Sequence, residues 1–167
     1  MTSLDDTSET LPAEVPADTH SSEACSSVVG PTAWLIDIDG TLALRADRSP
    51  FDWDRVGEDL PNQPAIIAAQ AIAAHPAVTA IVAVSGREEI CRRQTEMWLD
   101  AQCIPYDELL MRRIGDNRPD DVVKREIYQT EIAPRLRVIG VLDDRDRVVR
   151  MWRSLGLTCF QVAPGDF

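Results

Sequence analysis

Asp37-Ile38-Asp39-Gly40-Thr41 sets two carboxylates two residues apart, behind an apolar run (33–38, AWLIDI) that reads as a buried strand. One acid of such a pair can attack phosphorus. The other, held protonated, can hand a proton to the leaving oxygen and then take one from the hydrolytic water. Both would face one side if the strand continued, but Gly40 is expected to bend the chain and separate their roles. A second apolar run (78–84, VTAIVAV) leads into Ser85-Gly86-Arg87, and a third (137–142, RVIGVL) into Asp143-Asp144-Arg145. Ser85 can donate to a phosphoryl oxygen. The two acids can complete an oxygen-ligand site for Mg2+. Lys124 is the lone lysine beside 16 arginines, and it can neutralise charge on a phosphoryl group and on its nucleophile.

Each feature has a plainer reading alone: a turn for Asp-x-Asp-Gly, a loop for Ser-Gly, a helix cap for Asp-Asp, a solvated lysine. A calcium loop is excluded, because Gly40 arrives too early and no Glu follows at the twelfth position. Four such features in this order, three of them at strand ends, favour chemistry.

The elements that must hold these residues alternate. After the first strand, 64–74 reads as an Ala-rich helix ended by His75-Pro76, and 88–101 as a helix with Ile90, Met97 and Trp98 on one face. A weaker strand is expected at 108–112. A helix should run from Asp120 or Asp121 through 131, with Val122, Val123, Ile127 and Tyr128 as its apolar side. A helix over 146–155 and a strand over 157–162 finish the chain. Continuous apolar strands alternating with helices predict an α/β fold, one Rossmann-like parallel sheet covered on both faces, with ligands bound beyond the strand C-termini.

The 167 residues suit one core. Asp5, Asp6, Glu9, Glu14, Asp18 and Glu23 supply six of the eleven net negative charges, and residues 1–29 hold no Lys or Arg. That segment predicts a disordered acidic tail, leaving 30–167 as the folded domain. The acidic total argues weakly against nonspecific nucleic-acid binding, but clustered arginines could still form a positive groove. Four scattered cysteines without a CxxC pair fit reduced thiols in a cytoplasmic protein. The N-terminus has no signal-peptide pattern, and no apolar stretch is long enough to cross a bilayer. His20 and His75 are poorly placed for catalysis. Trp34 and Trp152 read as packing residues, whereas Trp53 is balanced between packing and stacking on a nucleotide.

The order Asp-x-Asp-Gly-Thr, strand-Ser, Lys, strand-Asp-Asp resembles the haloacid-dehalogenase superfamily of aspartate-nucleophile phosphatases. More narrowly, the chain resembles the 3′-phosphatase domain of phage-type polynucleotide kinase/phosphatases from about Trp34 to Phe167. Asp37–Leu42, Arg48-Ser49-Pro50-Phe51-Asp52, Ser85–Glu88, Asp120–Lys124, Asp143-Asp144-Arg145, Met151-Trp152-Arg153 and the closing Gly165-Asp166-Phe167 carry the likeness. It implies a haloacid-dehalogenase fold without a large cap, Asp37 as nucleophile and Asp39 as general acid/base. Mg2+ would lie between Asp37, the Asp39 main-chain carbonyl and Asp143/Asp144, while Ser85 and Lys124 hold the phosphate. Thr41, Arg48, Gly86, Arg87, Arg112 and Arg145 match positions that bind substrate or support the site, and the four arginines are expected to form a positive rim. No GxxxxGK[ST] loop occurs, so no kinase is expected in this chain and a kinase or ligase would be a separate partner. The implied function is Mg2+-dependent removal of 3′-phosphates from DNA or RNA ends, in nucleic-acid end repair. The alternatives are a nucleotidase or other small-molecule phosphomonoesterase, and a non-catalytic module that binds phosphorylated ends.

Overall fold

The computed structural model describes residues 30–165; the expected tail, 1–29, and residues 166–167 lie outside them. Five parallel strands form the main sheet in the order β5-β4-β1-β6-β7: β1 Thr32–Ile36, β4 Ala80–Glu88, β5 Glu108–Arg112, β6 Arg137–Asp143 and β7 Cys159–Gln161. Two short antiparallel strands, β2 Ala43–Leu44 and β3 Leu60–Pro61, form a separate ribbon, with a 3-10 turn at Trp53–Glu58 between them. The helices are α1 Gln63–Ala73, α2 Arg92–Ala101, α3 Asp120–Ile127 and α4 Asp146–Ser154.

Strand side chains alternate between two cores, as the period of two requires. Ile36, Ile81 and Ala83 meet Ile66, Ala69, Trp98 and Leu99 of α1 and α2 on one face. Leu35, Val82 and Val84 meet Val123, Ile127, Val149 and Trp152 of α3 and α4 on the other. Burial on both faces explains why the strands read as unbroken apolar runs. Trp34 packs as expected: its ring lies where a Cβ on Gly140 would sit and stacks on Phe160 at 5.5 Å. His75 also stays structural, its Nδ1 accepting from the Ala77 N–H.

Three expectations are corrected. β4 does not stop at Val84 but runs on to Glu88, with a register shift on β5 between Ser85 and Glu88. Ile90 and Met97 are exposed, because a 3-10 turn at Glu89–Cys91 resets the helix phase and Cys91, Thr95, Trp98 and Leu99 form the inward stripe. Val122 is likewise exposed, and Val123 and Ile127 carry the burial of α3. That helix continues as a π turn through Tyr128–Ile132. No helix among the described residues is long and apolar enough to cross a membrane. Cys91, Cys103 and Cys159 are free thiols, and Cys25 lies outside the described residues.

Candidate active site

β1, β4 and β6 deliver Asp37, Ser85 and Asp143 to the same edge of the sheet, at the strand C-termini. Asp37 follows β1 and is tied to β6 by its N–H to the Leu142 carbonyl, 2.9 Å. The chain then folds back sharply. The N–H groups of Leu42 and Ala43 both donate to the Ile38 carbonyl, and Gly40 takes φ +88°, a conformation that favours glycine. Gly40 meets a second demand here: a Cβ on it would lie 2.1 Å from Asp144 Oδ2. The bend expected at Gly40 is therefore also what lets the acids at the end of β6 approach the end of β1.

Asp37, Asp143 and Asp144 come together as a buried triad with one carboxylate oxygen each within 4.8 Å of the others. Lys124, wholly buried, reaches in from α3, its Nζ donating to Asp37 Oδ1 at 2.6 Å and Asp143 Oδ2 at 3.0 Å. Asp143 Oδ2 also accepts from the Trp152 indole N–H at 3.1 Å, and its Oδ1 from the Arg145 N–H at 3.1 Å. Thr41 Oγ1 lies 3.3 Å from both Asp37 Oδ2 and Asp144 Oδ1. Burial, reinforced by the neighbouring acids against Lys124, pushes the Asp37 carboxyl well above the usual range. Burial and then Asp143 raise Asp144. Lys124 is stabilised as a cation: burial works against its charge, but Asp143, Asp37 and Asp120 outweigh it. Asp37, Asp143 and Asp144 set three carboxylates close together with Lys124 as their shared cation, and such clustered hard oxygen donors fit a small divalent cation such as Mg2+. Asp39 does not join this cluster by its carboxylate, so only its main-chain carbonyl is left for the implied metal role.

Asp39 instead faces two arginines. Arg87 grips it with Nε to Oδ2 at 2.8 Å and Nη2 to Oδ1 at 2.9 Å, and Arg48 Nη2 reaches Oδ1 at 3.1 Å. Both guanidinium groups also bind Asp59 Oδ2, at 2.7 and 2.6 Å, and the Trp98 indole fixes the Asp59 carbonyl at 2.8 Å. Burial alone would raise the Asp39 carboxyl, but the charge and hydrogen bonds of Arg87 and the charge of Arg48 hold it below its ordinary value. The expectation that Asp39 is held protonated is therefore corrected: in the resting site it is an ion-paired carboxylate.

The expected rim is corrected as well. Arg48 and Arg87 are buried and neutralised by Asp39 and Asp59. Arg112 is clasped by the carbonyls of Gly86, Asp116 and Arg118 and by Asp120. Arg145 lies 3.5 Å from Asp120. All four still border one open cavity of about 340 Å³, which also meets Asp37, Asp39, Gly86 and Asp144. Ser85, Lys124, Thr41 and Asp143 are buried and do not border it. Ser85 Oγ accepts from the Arg87 N–H at 3.2 Å, and Gly86 is small because Asp120 Oδ1 stands 2.3 Å from where a Cβ would be.

Two residues of this arrangement escape a sequence reading. Asp59 sits 11 and 28 positions from the arginines it joins and looks like one more surface acid. Asp120 ties Arg112, Arg145 and Lys124 together; its signals are its place one turn before Lys124 on α3 and in a segment that carries the family likeness. The chain's end supports the acids too. The Gln161 amide donates to the Asp144 carbonyl at 2.8 Å, and the Asp146 N–H to the Gly165 carbonyl at 3.0 Å.

Residues 31–167 match the family described as the polynucleotide kinase PNKP phosphatase domain. A protein of Autographa californica nuclear polyhedrosis virus, named for a bifunctional polynucleotide kinase/RNA ligase, is 38% identical over 136 residues. These are 79% of this chain but 19% of that protein. Two solved structures of a Pnkp1/Rnl/Hen1 complex, one described as an RNA repair complex, align at 40% and 38% identity with TM-scores of 0.78 and 0.80. They cover 82% and 90% of this chain and 44% and 52% of theirs, so it spans about half or less of its relatives' length. The HAD domain of the Legionella pneumophila effector Lem4 shares the fold at 17% identity and TM-score 0.51, across 83% of this chain and 89% of that one. With aspartates at the ends of β1 and β6, a serine on β4, a buried lysine and no inserted cap domain among the described residues, the chain belongs to the polynucleotide kinase phosphatase-domain family, within the haloacid-dehalogenase fold.

Proposed function

We propose that this chain is a Mg2+-dependent polynucleotide 3′-phosphatase acting through an aspartyl-phosphate on Asp37, with residues 30–167 as the catalytic domain. The observation that carries this reading is the Lys124 bridge between Asp37 and Asp143, beside Asp144, with Asp37 and Asp144 bordering an open cavity. Lys124 holds Asp37 Oδ1, so the carboxylate is oriented and its charge is partly offset as the phosphate dianion approaches. Asp37 attacks phosphorus and the bond to the sugar oxygen breaks.

Asp39 is ionised at rest, and an entering phosphate dianion raises the proton affinity of a nearby carboxyl. Asp39 takes up a proton from water as the phosphate enters and gives it to the leaving 3′-oxygen. In the second step it takes a proton from water as the water displaces phosphate from Asp37. Arg48 and Arg87, fixed by Asp59, keep the Asp39 carboxylate aimed through both steps. Mg2+, held by Asp37, Asp143, Asp144 and the Asp39 carbonyl, would neutralise phosphoryl oxygen charge.

The family and the repair-complex relatives favour nucleic-acid ends as substrate, and a kinase or ligase as working partner. The test measures phosphate release from a 3′-phosphorylated oligonucleotide, a 5′-phosphorylated one, and 3′- and 5′-mononucleotides, with Mg2+ and with a chelator. Mg2+-dependent release from the 3′ end of the polymer supports the reading. Preference for mononucleotides, or full activity in chelator, defeats it.

A further inference from the structure

Phe51 is 78% exposed, yet it borders a cavity lined mostly by arginines and carboxylates. Exposed apolar residues are common singly. Phe51 differs in what holds it. Its N–H lies 3.5 Å from Ser49 Oγ, the Asp52 N–H donates to the Ser49 carbonyl at 3.1 Å, and Arg48 Nη1 reaches that same carbonyl at 3.2 Å. The turn bearing Phe51 is thus fastened to the arginine that grips Asp39. Behind it stands Trp53, whose ring meets Phe51 edge-on with centroids 6.2 Å apart. Trp53 also borders the cavity and packs partly against the core on that face of the sheet. An aromatic pair therefore borders the same cavity as Asp37 and Asp39. Leu60, Ile67, Ile90 and Met97, also exposed, do not border the cavity.

We infer that Phe51, backed by Trp53, is the stacking platform for the nucleobase of the phosphorylated terminal nucleotide. The inference rests on the polynucleotide reading above and deepens it. The arginines and acids of the cavity suit phosphate and offer nothing apolar. The aromatic pair adds a flat surface that a base matches and an aliphatic sugar phosphate does not. Stacking uses the face common to all bases, so the platform favours a base over no base without choosing among the four. It gives a capless phosphatase a means of recognising a nucleotide end when its deeper groups read only phosphate.

The experiment compares two 3′-phosphorylated oligonucleotides, one ending in an ordinary nucleotide and one in an abasic sugar. For the wild type, KM is expected to be about tenfold lower on the base-bearing end. Phe51→Ala should raise that KM to the abasic value, and Phe51→Tyr should restore the difference. A second readout uses 2-aminopurine at the 3′ terminus, bound to the Asp37→Asn protein so that it stays uncleaved. Its fluorescence should be quenched on binding, and less so when Phe51→Ala is added. Equal KM values on both ends in the wild type, or a Phe51→Ala loss confined to kcat and shared by both ends, overturns the platform. If the wild type cleaves no 3′-phosphorylated end but does cleave small phosphomonoesters, the polynucleotide reading itself has failed, and the platform falls with it.

Discussion

Lys124 Nζ is shared between Asp37 Oδ1 and Asp143 Oδ2, so the proposed nucleophile is held by the same cation that offsets the charge of a proposed metal ligand. Asp37→Asn keeps the acceptor oxygen for Lys124 and loses the attacking carboxylate, so turnover should vanish while the fold persists. Substantial Mg2+-dependent activity in that variant would remove Asp37 from the nucleophile's place. Its stability follows from the same contacts. A carboxyl raised by burial contributes stability below its unfolded pKa of about 4 and loses that contribution as pH rises through the raised folded value. At neutral pH without Mg2+, Asp37→Asn should therefore unfold at a urea concentration equal to or above that of the wild type. Asp39 runs the opposite way. Its lowered carboxyl contributes stability above about pH 4 and loses it as pH falls through the folded value. Asp39→Asn should be less stable than the wild type at neutral pH and converge with it in acid. Its activity should fall more on sugar phosphates than on activated aryl phosphates, because only a poor leaving oxygen needs the proton. Equal losses on both would take that role from Asp39.

The turn after β1 shows how an element makes a site from residues distant in sequence. Gly40 has a positive φ and leaves room for Asp144 Oδ2, so Gly40→Ala both strains the backbone and displaces a carboxylate of the triad. Displacements near 1 Å cost about a hundredfold in rate, and kcat/KM should fall by at least that much. Gly57→Ala, with nothing within 4 Å of the added methyl, should leave the rate alone. Similar effects of the two substitutions would show that the approach of Asp144 is unimportant. The three strand-end acids were legible because a doubly covered strand writes a continuous apolar run, and the polar residue after it marks the strand's end. The sequence also announced the bend at Gly40. It did not announce the charge state of Asp39. That depends on Arg48, Arg87 and Asp59 meeting in space, and no local pattern links Asp59 to either arginine. Ile90 and Met97 were misread because a 3-10 turn shifts helix phase without changing composition. Ser85-Gly86-Arg87 looked like a loop because strand pairing through a register shift leaves no apolar signature.

Over the whole molecule, the site is reached without crossing a cap. Between Asp37 and Ser85 the chain builds only the β2–β3 ribbon, a 3-10 turn and α1; between Ser85 and Lys124 it completes β4 and adds α2 and β5 before entering α3. The cavity is open, as the polymer end of the proposed function requires. What draws a polyanion to a protein of net charge −11 must then be local. Arg48 and Arg87 are poor sources of salt-sensitive attraction, since Asp39 and Asp59 already neutralise them, and Arg112 is fixed in place by main-chain carbonyls and Asp120. Their loss should instead damage the site for every substrate, small or polymeric. Arg45 and Arg147 are placed differently. Both border the cavity; Arg45 is exposed, and Arg147, also exposed, has Asp121 at 3.7 Å. On a 3′-phosphorylated single strand, each arginine that meets a phosphate should add about 0.7 to the negative slope of log(kcat/KM) against log salt. Arg45→Ala and Arg147→Ala should each flatten that slope by about this amount and lower the polymer rate at low salt. On a small aryl phosphate, which has no second phosphate to meet, neither should change the salt dependence. If both variants keep the wild-type slope on the oligonucleotide, the attraction comes from elsewhere. If the wild type shows no slope at all, the polymer enters without help from these charges.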